Sequence, residues 1–340
     1  MSSALPAPLV PLIHGVAPGA SPVLVPQLGV GTYKVGDAEA ERVVSEALAL
    51  GYRHVDTAQM YGNEAGVGRA LAAGGLPREE FFVTSKLDNL NHCRPDALSS
   101  FERSLEALGL EVLDLFLVHW PLAASPGLSL VETWETMIEI LVGGRVRAIG
   151  VSNYQAGHLR TVIGATGVTP SVNQIEIHPY LTQTALRSIH RELGVVTESW
   201  SPLGRGRVLA DPGVGRVAAE LGVTPAQVVI RWHLQHGLVV FPKSTDVERL
   251  RVNAEVLRAD ARAHASAGRA RPGPAHGLAP RSRPGLRSRS GRPAVAPGGA
   301  TGHGRAGPGR LQAAGRRQPA ARPNRGRLTS SAADPGSRAS

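Results

Sequence analysis

Four side chains of types that exchange protons follow the ends of short apolar runs in the N-terminal part of the chain. Asp56 closes the run that begins at His54, Tyr61 lies five residues further on, and Lys86 and His119 close two later runs. None of these residue types belongs in a protein core without a partner. Their shared position indicates that an acid, a phenol, an amine and an imidazole act together.

These four residue types suit the protonation of an oxygen anion. A tyrosine, with an ordinary pKa of ~10, is a good general acid only if a nearby ammonium lowers that pKa toward the working pH. Lys86 would supply the ammonium, Asp56 would balance its charge, and neutral His119 would orient a carbonyl oxygen. Such a set stabilises the alkoxide formed when hydride adds to a carbonyl. The hydride must come from a cofactor, because no side chain supplies one.

Up to Leu257 the chain alternates between short apolar runs and segments with helical periodicity. The predicted strands begin at Leu28, His54, Phe81, Leu113, Val146, Ser171, Val195 and Leu238. The predicted helices span 38–50, 63–73, 95–108, 131–141, 155–166, 183–193, 224–235 and 246–257. This alternation over ~250 residues predicts an α/β fold, a (β/α)8 TIM barrel. A doubly wound sheet is the alternative, but "GVGTYK" lacks the third glycine of its usual turn.

Two features at the barrel ends complete the predicted architecture. The stretches "LVPLIHG" and "PVLVP" precede the first strand and predict an N-terminal β-hairpin. In a barrel, the carboxyl ends of the strands build the site. Further polar or aromatic residues are predicted at those ends, namely Ser152, Asn153, Gln174, Trp200 and Lys243. A helix cap or a turn could explain any one of them, but not seven strand ends at once.

Three longer stretches resemble signatures of the aldo-keto reductase family. "GYRHVDTAQMYGNEAGVG" is similar to the first signature, "RAIGVSNY" to the second and "FPKSTDVERLRVN" to the third. Val252 departs from the third, where the family has a small or polar residue. The resemblance spans residues 22–257 and is closest to the bacterial branch of 2,5-diketo-gluconate reductases.

The resemblance implies a function and catalytic roles. The chain would transfer hydride from NADPH to an aldehyde or ketone, giving an alcohol, as an alcohol:NADP⁺ oxidoreductase. Tyr61 would be the proton donor, Lys86 would lower its pKa, Asp56 would pair with Lys86, and His119 would position the substrate. The residues implied to contact substrate are Tyr33, Tyr61, His119 and Trp120. The loop "LDNLNHC" lacks the tryptophan of many relatives, so the substrate itself does not follow from the family.

The resemblance also implies a binding site for NADPH, and no metal. The residues implied to contact the cofactor are Thr32, Asp56, Ser152, Asn153, Gln174, Trp200, Ser201, Leu203, Lys243, Ser244, Arg249 and Asn253. Within this set, Ser152, Asn153 and Gln174 would hold the nicotinamide carboxamide. Two cations and a hydroxyl, at Lys243, Arg249 and Ser244, suit a phosphate monoester, which favours NADPH over NADH.

The composition changes abruptly after Leu257. Residues 258–340 contain 17 arginines, no lysine and two acids, whereas residues 1–257 contain 20 basic and 25 acidic residues. We therefore expect a barrel domain at 1–257 and a disordered, low-complexity basic tail at 258–340. Two interpretations of the tail stay open. A shift of the reading frame would leave a catalytically impaired product, whereas a genuine arm would bind nucleic acid, although it lacks aromatic residues.

Other features limit the cellular context. Cys93 is the single cysteine, which excludes an internal disulfide and fits a reducing compartment. No apolar run approaches the ~20 residues of a membrane span, and no basic region precedes the first apolar stretch. We expect a cytoplasmic monomer that acts on a small carbonyl compound and has no membrane partner. A barrel that binds NADPH as a sensor is the alternative, and the complete catalytic set disfavours it.

Overall fold

The computed structural model of the chain describes residues 7–19, 22–122 and 129–267. Beyond Leu257 it describes only the backbone of the final helix, which ends at Ala267. The predicted tail from residue 268 onward lies outside the described residues. The final helix therefore extends past the predicted domain boundary, and ten residues assigned to the tail by composition continue that helix.

A two-stranded hairpin opens the described chain and the barrel follows it. Strands β1 (Leu9–Leu12) and β2 (Val23–Pro26) pair antiparallel, as predicted. Eight parallel strands then form one sheet in sequence order. They are β3 (Val30–Gly31), β4 (His54–Asp56), β5 (Phe82–Leu87), β6 (Leu113–Val118), β7 (Val146–Ser152), β8 (Val172–Glu176), β9 (Val196–Trp200) and β10 (Val239–Val240).

The first and last barrel strands meet and close the sheet. Leu28 forms a parallel bridge with Val240. The amide of Gly29 donates to the carbonyl of Val240 at 2.9 Å, and the amide of Val240 donates to the carbonyl of Gln27 at 2.8 Å. This closure, with helices between the strands, confirms the predicted (β/α)8 barrel.

Nine α-helices occur in the described part of the chain, one more than predicted. They are α1 (Asp37–Ala49), α2 (Glu64–Ala73), α3 (Arg94–Leu108), α4 (Leu130–Val142), α5 (Ala156–Thr166), α6 (Thr184–Leu193), α7 (Pro212–Leu221), α8 (Pro225–Gln235) and α9 (Val247–Ala267). The prediction missed α7 because Gly213 and Gly215 lower its helix propensity. Asp211 compensates by accepting hydrogen bonds from the first amides of that helix. No helix in these ranges is long and apolar enough to cross a membrane.

The interior of the barrel is polar at the carboxyl ends of the strands and apolar further from those ends. Leu115, Leu117, Ala148, Val172, Val239 and Phe241 form a buried cluster inside the strands. Leu12, Val23 and Val25 of the hairpin belong to the same cluster. The hairpin therefore closes the end of the barrel away from the carboxyl ends of the strands. The polar side chains at the carboxyl ends of the strands thus pack against this apolar cluster, which separates them from bulk water on that side.

Asp114 links three strands near the closed end of the barrel. It is fully buried, and its Oδ2 accepts hydrogen bonds from Arg78 at 2.6 Å and from the amide of Val83 at 2.8 Å. Its Oδ1 accepts from Arg147 at 2.7 Å. One carboxylate on β6 therefore pairs with two partly exposed arginines and binds the backbone of β5.

We expect Asp114→Asn to lower the free energy of unfolding by ~2–3 kcal/mol, because two guanidinium groups lose their buried counter-charge. The exposure of both arginines keeps the loss at the lower end of values for buried pairs. Urea denaturation measures it. The matched control is Glu139→Gln, which breaks the exposed pair with Arg94 and should cost less than ~1 kcal/mol. Equal losses in both variants would contradict the assignment of Asp114.

Candidate active site

A buried lysine with three acceptors lies at the centre of the site. Lys86, on β5, has a fully buried side chain. Its Nζ lies 2.7 Å from Oδ1 of Asp56, 2.8 Å from the carbonyl oxygen of Thr57 and 3.3 Å from the hydroxyl of Tyr61. An ammonium has three hydrogens to donate, and three acceptors surround it. The geometry is therefore that of a charged lysine paired with an aspartate carboxylate.

The loop after β4 brings Tyr61 to this lysine. A 3-10 turn at Gln59–Tyr61 ends at Gly62, whose φ of 64° is in the left-handed region that favours glycine. The buried Asn63 accepts a hydrogen bond from Thr57 at 2.8 Å and donates to the carbonyl of Thr32 at 2.9 Å. These bonds fix the loop at both ends, so the position of Tyr61 follows from the backbone.

Tyr61 keeps its proton in this structure. Burial raises the pKa of its phenol, and the nearby Lys86 ammonium opposes that shift without reversing it. Lys86 therefore acts on this pKa in the expected direction, but desolvation has the larger effect and the net shift is upward. Since Lys86 donates to the phenol oxygen, the phenol hydrogen remains available to another acceptor.

His119 is the fourth member of the group. Its ring lies edge-on to the ring of Tyr61, with centroids 5.7 Å apart. Burial, and then the charge of Lys86, lower the pKa of His119 to about 3. The imidazole is therefore neutral at physiological pH, the form that the sequence argument requires. Its backbone carbonyl accepts a hydrogen bond from Asn153 at 3.0 Å.

Asp56, Tyr61 and His119 line a cavity of about 300 Å³. Tyr33, Met60 and Trp120 line it and are each partly exposed. The ring of Tyr33 contacts that of Tyr61, with centroids 5.2 Å apart. The structure thus places Tyr33 and Trp120, both expected to contact substrate, in the cavity lining and adds Met60, which was not predicted.

The residues predicted to hold the carboxamide line the same cavity. Ser152 donates to the carbonyl of Gln174 at 2.8 Å, and Asn153 donates to the hydroxyl of Ser152 at 3.0 Å. The indole of Trp200 donates to Oδ1 of Asn153 at 2.9 Å. Asn153 has a left-handed φ of 65°, which aims its amide between these partners. Ser201 lies beside them on the cavity wall.

A second cavity, of about 520 Å³, shares Lys243 with the first. Its lining includes Leu203, Ser244, Arg249 and Asn253. Arg249 is 78% exposed, and its guanidinium lies 3.8 Å from Asp246, whereas the neighbouring Arg251 is held by Glu248 and Glu255. Arg249 is therefore the more available cation. Thr32 lines neither cavity and instead donates to the backbone carbonyl of Asp56.

The start of α9 differs in one respect from the expected phosphate site. Oδ1 of Asp246 already accepts hydrogen bonds from the amides of Glu248 and Arg249. Those helix N-terminal amides are therefore occupied, and a phosphate in this cavity would depend on side chains. Across the described ranges, no three His, Cys, Asp or Glu side chains are arranged to hold a metal ion.

Two charged residues of this region were not among the individually predicted site residues. Arg205 lines the first cavity and has a φ of 55°. Glu198 is fully buried on β9 and accepts a hydrogen bond from Nε2 of Gln174 at 3.0 Å. A signal for Glu198 was present, because an acid two residues before Trp200 shares the strand face of that site residue.

Comparisons with known proteins agree with this geometry. The profile of the aldo/keto reductase family matches residues 27–265. An aldo-keto reductase of Mycolicibacterium smegmatis is 46% identical over 233 residues, which cover 68% of this chain and 84% of that protein. The 2,5-diketo-D-gluconic acid reductase B of a Corynebacterium species is 46% identical over 231 residues, 67% of this chain and 82% of that protein.

Solved structures that are similar to this chain also support its place in the aldo/keto reductase family. The apo form of Gox0644 superposes with a TM-score of 0.67 at 45% identity, over 74% of this chain and 88% of that one. A variant of Gox0644 in complex with NADPH gives a TM-score of 0.67 at 44% identity, over the same shares of the two chains. The chain therefore belongs to the aldo/keto reductase family and has the fold of an oxidoreductase of that family.

The buried ion pair gives a prediction about stability. We expect Asp56→Asn and Lys86→Met each to lower the free energy of unfolding by ~3 kcal/mol, because each leaves a buried charge without its partner. The double variant should lose less than the sum, since it leaves neither charge behind. Urea denaturation of all four proteins at neutral pH measures the coupling. Additive losses would show that the two groups do not form an ion pair.

Proposed function

We propose that the protein is an NADPH-dependent carbonyl reductase that converts an aldehyde or ketone to an alcohol, with Tyr61 as proton donor. The observation that carries the proposal is the contact between the hydroxyl of Tyr61 and Nζ of Lys86, 3.3 Å apart, on the wall of a cavity that His119 also lines. The NADPH complex of the Gox0644 variant supports the choice of cofactor. The name of the Corynebacterium relative supports a carbonyl substrate.

The donor groups along the two cavities fit NADPH. Amide and hydroxyl groups of Ser152, Asn153 and Gln174 lie in the cavity of Tyr61, where a carboxamide can exchange hydrogen bonds with them. The cations Lys243 and Arg249 lie in the adjoining cavity with Ser244, and suit the 2′-phosphate. The shared Lys243 shows that the two cavities adjoin each other. When bound, NADPH supplies the hydride that no side chain can provide.

The residues of the chain handle the proton and the charge. A neutral His119 orients the carbonyl oxygen toward Tyr61, and the phenol hydrogen passes to that oxygen as negative charge develops on it. The phenolate left on Tyr61 lies 3.3 Å from the Lys86 ammonium, which stabilises it. Asp56 holds that ammonium in place. The aromatic side chains at the cavity mouth limit the access of water to the reacting atoms.

The proposal includes a cellular setting. We infer that the protein acts in the cytoplasm as a monomer on a small-molecule carbonyl compound. The free thiol of Cys93 is exposed, which suits a reducing compartment.

We expect Tyr61→Phe to lower the rate of carbonyl reduction by at least ~10² while NADPH affinity stays nearly unchanged, because the hydroxyl is needed for proton transfer alone. Stopped-flow turnover with an aldehyde and a fluorescence titration with NADPH measure the two quantities. The control is Tyr154→Phe, which removes a buried hydroxyl that has no hydrogen-bond partner among the described residues and should leave turnover intact. A Tyr61→Phe protein with more than a tenth of normal turnover would remove the proton-donor role.

We expect Arg249→Ala to weaken NADPH binding by ~1.5–3 kcal/mol, about ten- to a hundredfold in Kd, through loss of a charge-assisted bond to phosphate. NADH binding should change little. Calorimetric titration of both cofactors measures the difference. Arg251→Ala serves as the control, because Glu248 and Glu255 already hold that side chain. Equal losses for NADPH and NADH would place the 2′-phosphate elsewhere.

A further inference from the structure

Glu198 lies at the end of a hydrogen-bonded chain that crosses the barrel. Its Oε2 accepts from Nε2 of Gln174 at 3.0 Å, and the same nitrogen donates to Oδ2 of Asp56 at 2.8 Å. Asp56 in turn binds Lys86, which contacts Tyr61. The five residues come from β4, β5, β8, β9 and the loop after β4, so the chain joins opposite sides of the barrel.

The two carboxyl groups use both hydrogens of the Gln174 amide nitrogen. An ionised carboxylate only accepts hydrogen bonds, so Asp56 fixes the nitrogen at this end of the amide. Glu198 accepts the second hydrogen and opposes rotation of the amide plane. The amide oxygen is then the group that Gln174 presents to the cavity, which it lines.

The surroundings of Glu198 favour its neutral form. The charged groups that face it are Asp56 from β4 and Lys86 from β5, and its register partners are Gln174 on β8 and Val239 on β10. Its Oε1 is buried without a hydrogen-bond partner in the described structure. Burial raises the pKa of Glu198 to about 8, so at neutral pH it adds no second negative charge beside Asp56.

We propose that Glu198 is a positioning residue that, together with Asp56, holds the Gln174 amide with its oxygen toward the nicotinamide carboxamide. The inference rests on the proposed function, because it assigns Gln174 to the cofactor. None of the three family-like stretches contains Glu198, so the resemblance gives it no role. Its effect on cofactor binding passes through Gln174 alone.

The test compares two variants of the full chain. Glu198→Met keeps the volume and removes the acceptor, whereas Glu198→Gln keeps an acceptor oxygen. Calorimetry measures the Kd of NADPH and of 2′-phospho-ADP-ribose, which lacks the nicotinamide. We expect Glu198→Met to weaken NADPH binding about three- to tenfold and to leave the second ligand unchanged, the size of one net hydrogen bond. Glu198→Gln should bind both ligands as the unmodified chain does.

Three outcomes of this titration would overturn the proposal. They are unchanged NADPH affinity in Glu198→Met, equal losses for both ligands, and a loss in Glu198→Gln as large as that in Glu198→Met. Failure of the unmodified chain to bind NADPH would instead remove the proposed function, which is a separate result.

A second measurement needs no cofactor and requires only that Glu198→Gln folds. A carboxyl whose folded pKa is raised stabilises the protein fully below its unfolded pKa and loses that contribution as pH rises through the folded value. The free energy of unfolding of the unmodified chain, minus that of Glu198→Gln, should therefore fall between about pH 4 and pH 8 and then level off. A difference that does not change with pH would show that Glu198 is not the neutral acid that the proposal requires.

Discussion

The buried ammonium of Lys86 is the constraint on which the rest of the site depends. A charge with no access to water is tolerated only when a counter-charge and hydrogen-bond acceptors replace its hydration shell. Asp56, the carbonyl of Thr57 and the hydroxyl of Tyr61 together provide this replacement. The path of the loop after β4 is therefore constrained, because another path would remove two of the three acceptors, the carbonyl of Thr57 and the hydroxyl of Tyr61.

The barrel makes this burial possible. The hairpin and the inward side chains of the strands form an apolar layer, and the bridge between Leu28 and Val240 joins the first and last strands of the described sheet. The polar layer beside this apolar layer is desolvated on one side and faces a cavity on the other. Electrostatic contacts in such a layer are stronger than in water. The Asp56–Lys86 ion pair can therefore hold the residues that bond to it in fixed positions.

The sequence was sufficient to predict the barrel, the hairpin and the residues that the structure brings together around Lys86. Strand ends are readable because apolar runs stop at polar residues, and the structure places Asp56, Tyr61 and His119 at one cavity. The desolvation of individual side chains could not be predicted from the sequence, because it depends on packing against strands that are distant in the chain. The upward shift of the Tyr61 pKa and the raised pKa of Glu198 both follow from burial.

The α7 helix was missed for a different reason. Two glycines lower its local helix propensity, and its N-cap, Asp211, compensates for them.

The charges inside the barrel balance, and this balance bears on the proposed reaction. Asp56 and Lys86 cancel, burial keeps Tyr61 protonated and His119 neutral, and Glu198 carries a proton at neutral pH. A site that is neutral overall has the lowest desolvation cost. Addition of hydride would bring one negative charge to the carbonyl oxygen, and the proton of Tyr61 would transfer that charge to the phenol oxygen. The charge would then lie against Lys86, the one buried cation among these residues, which is why the acid has to be the phenol in contact with the lysine.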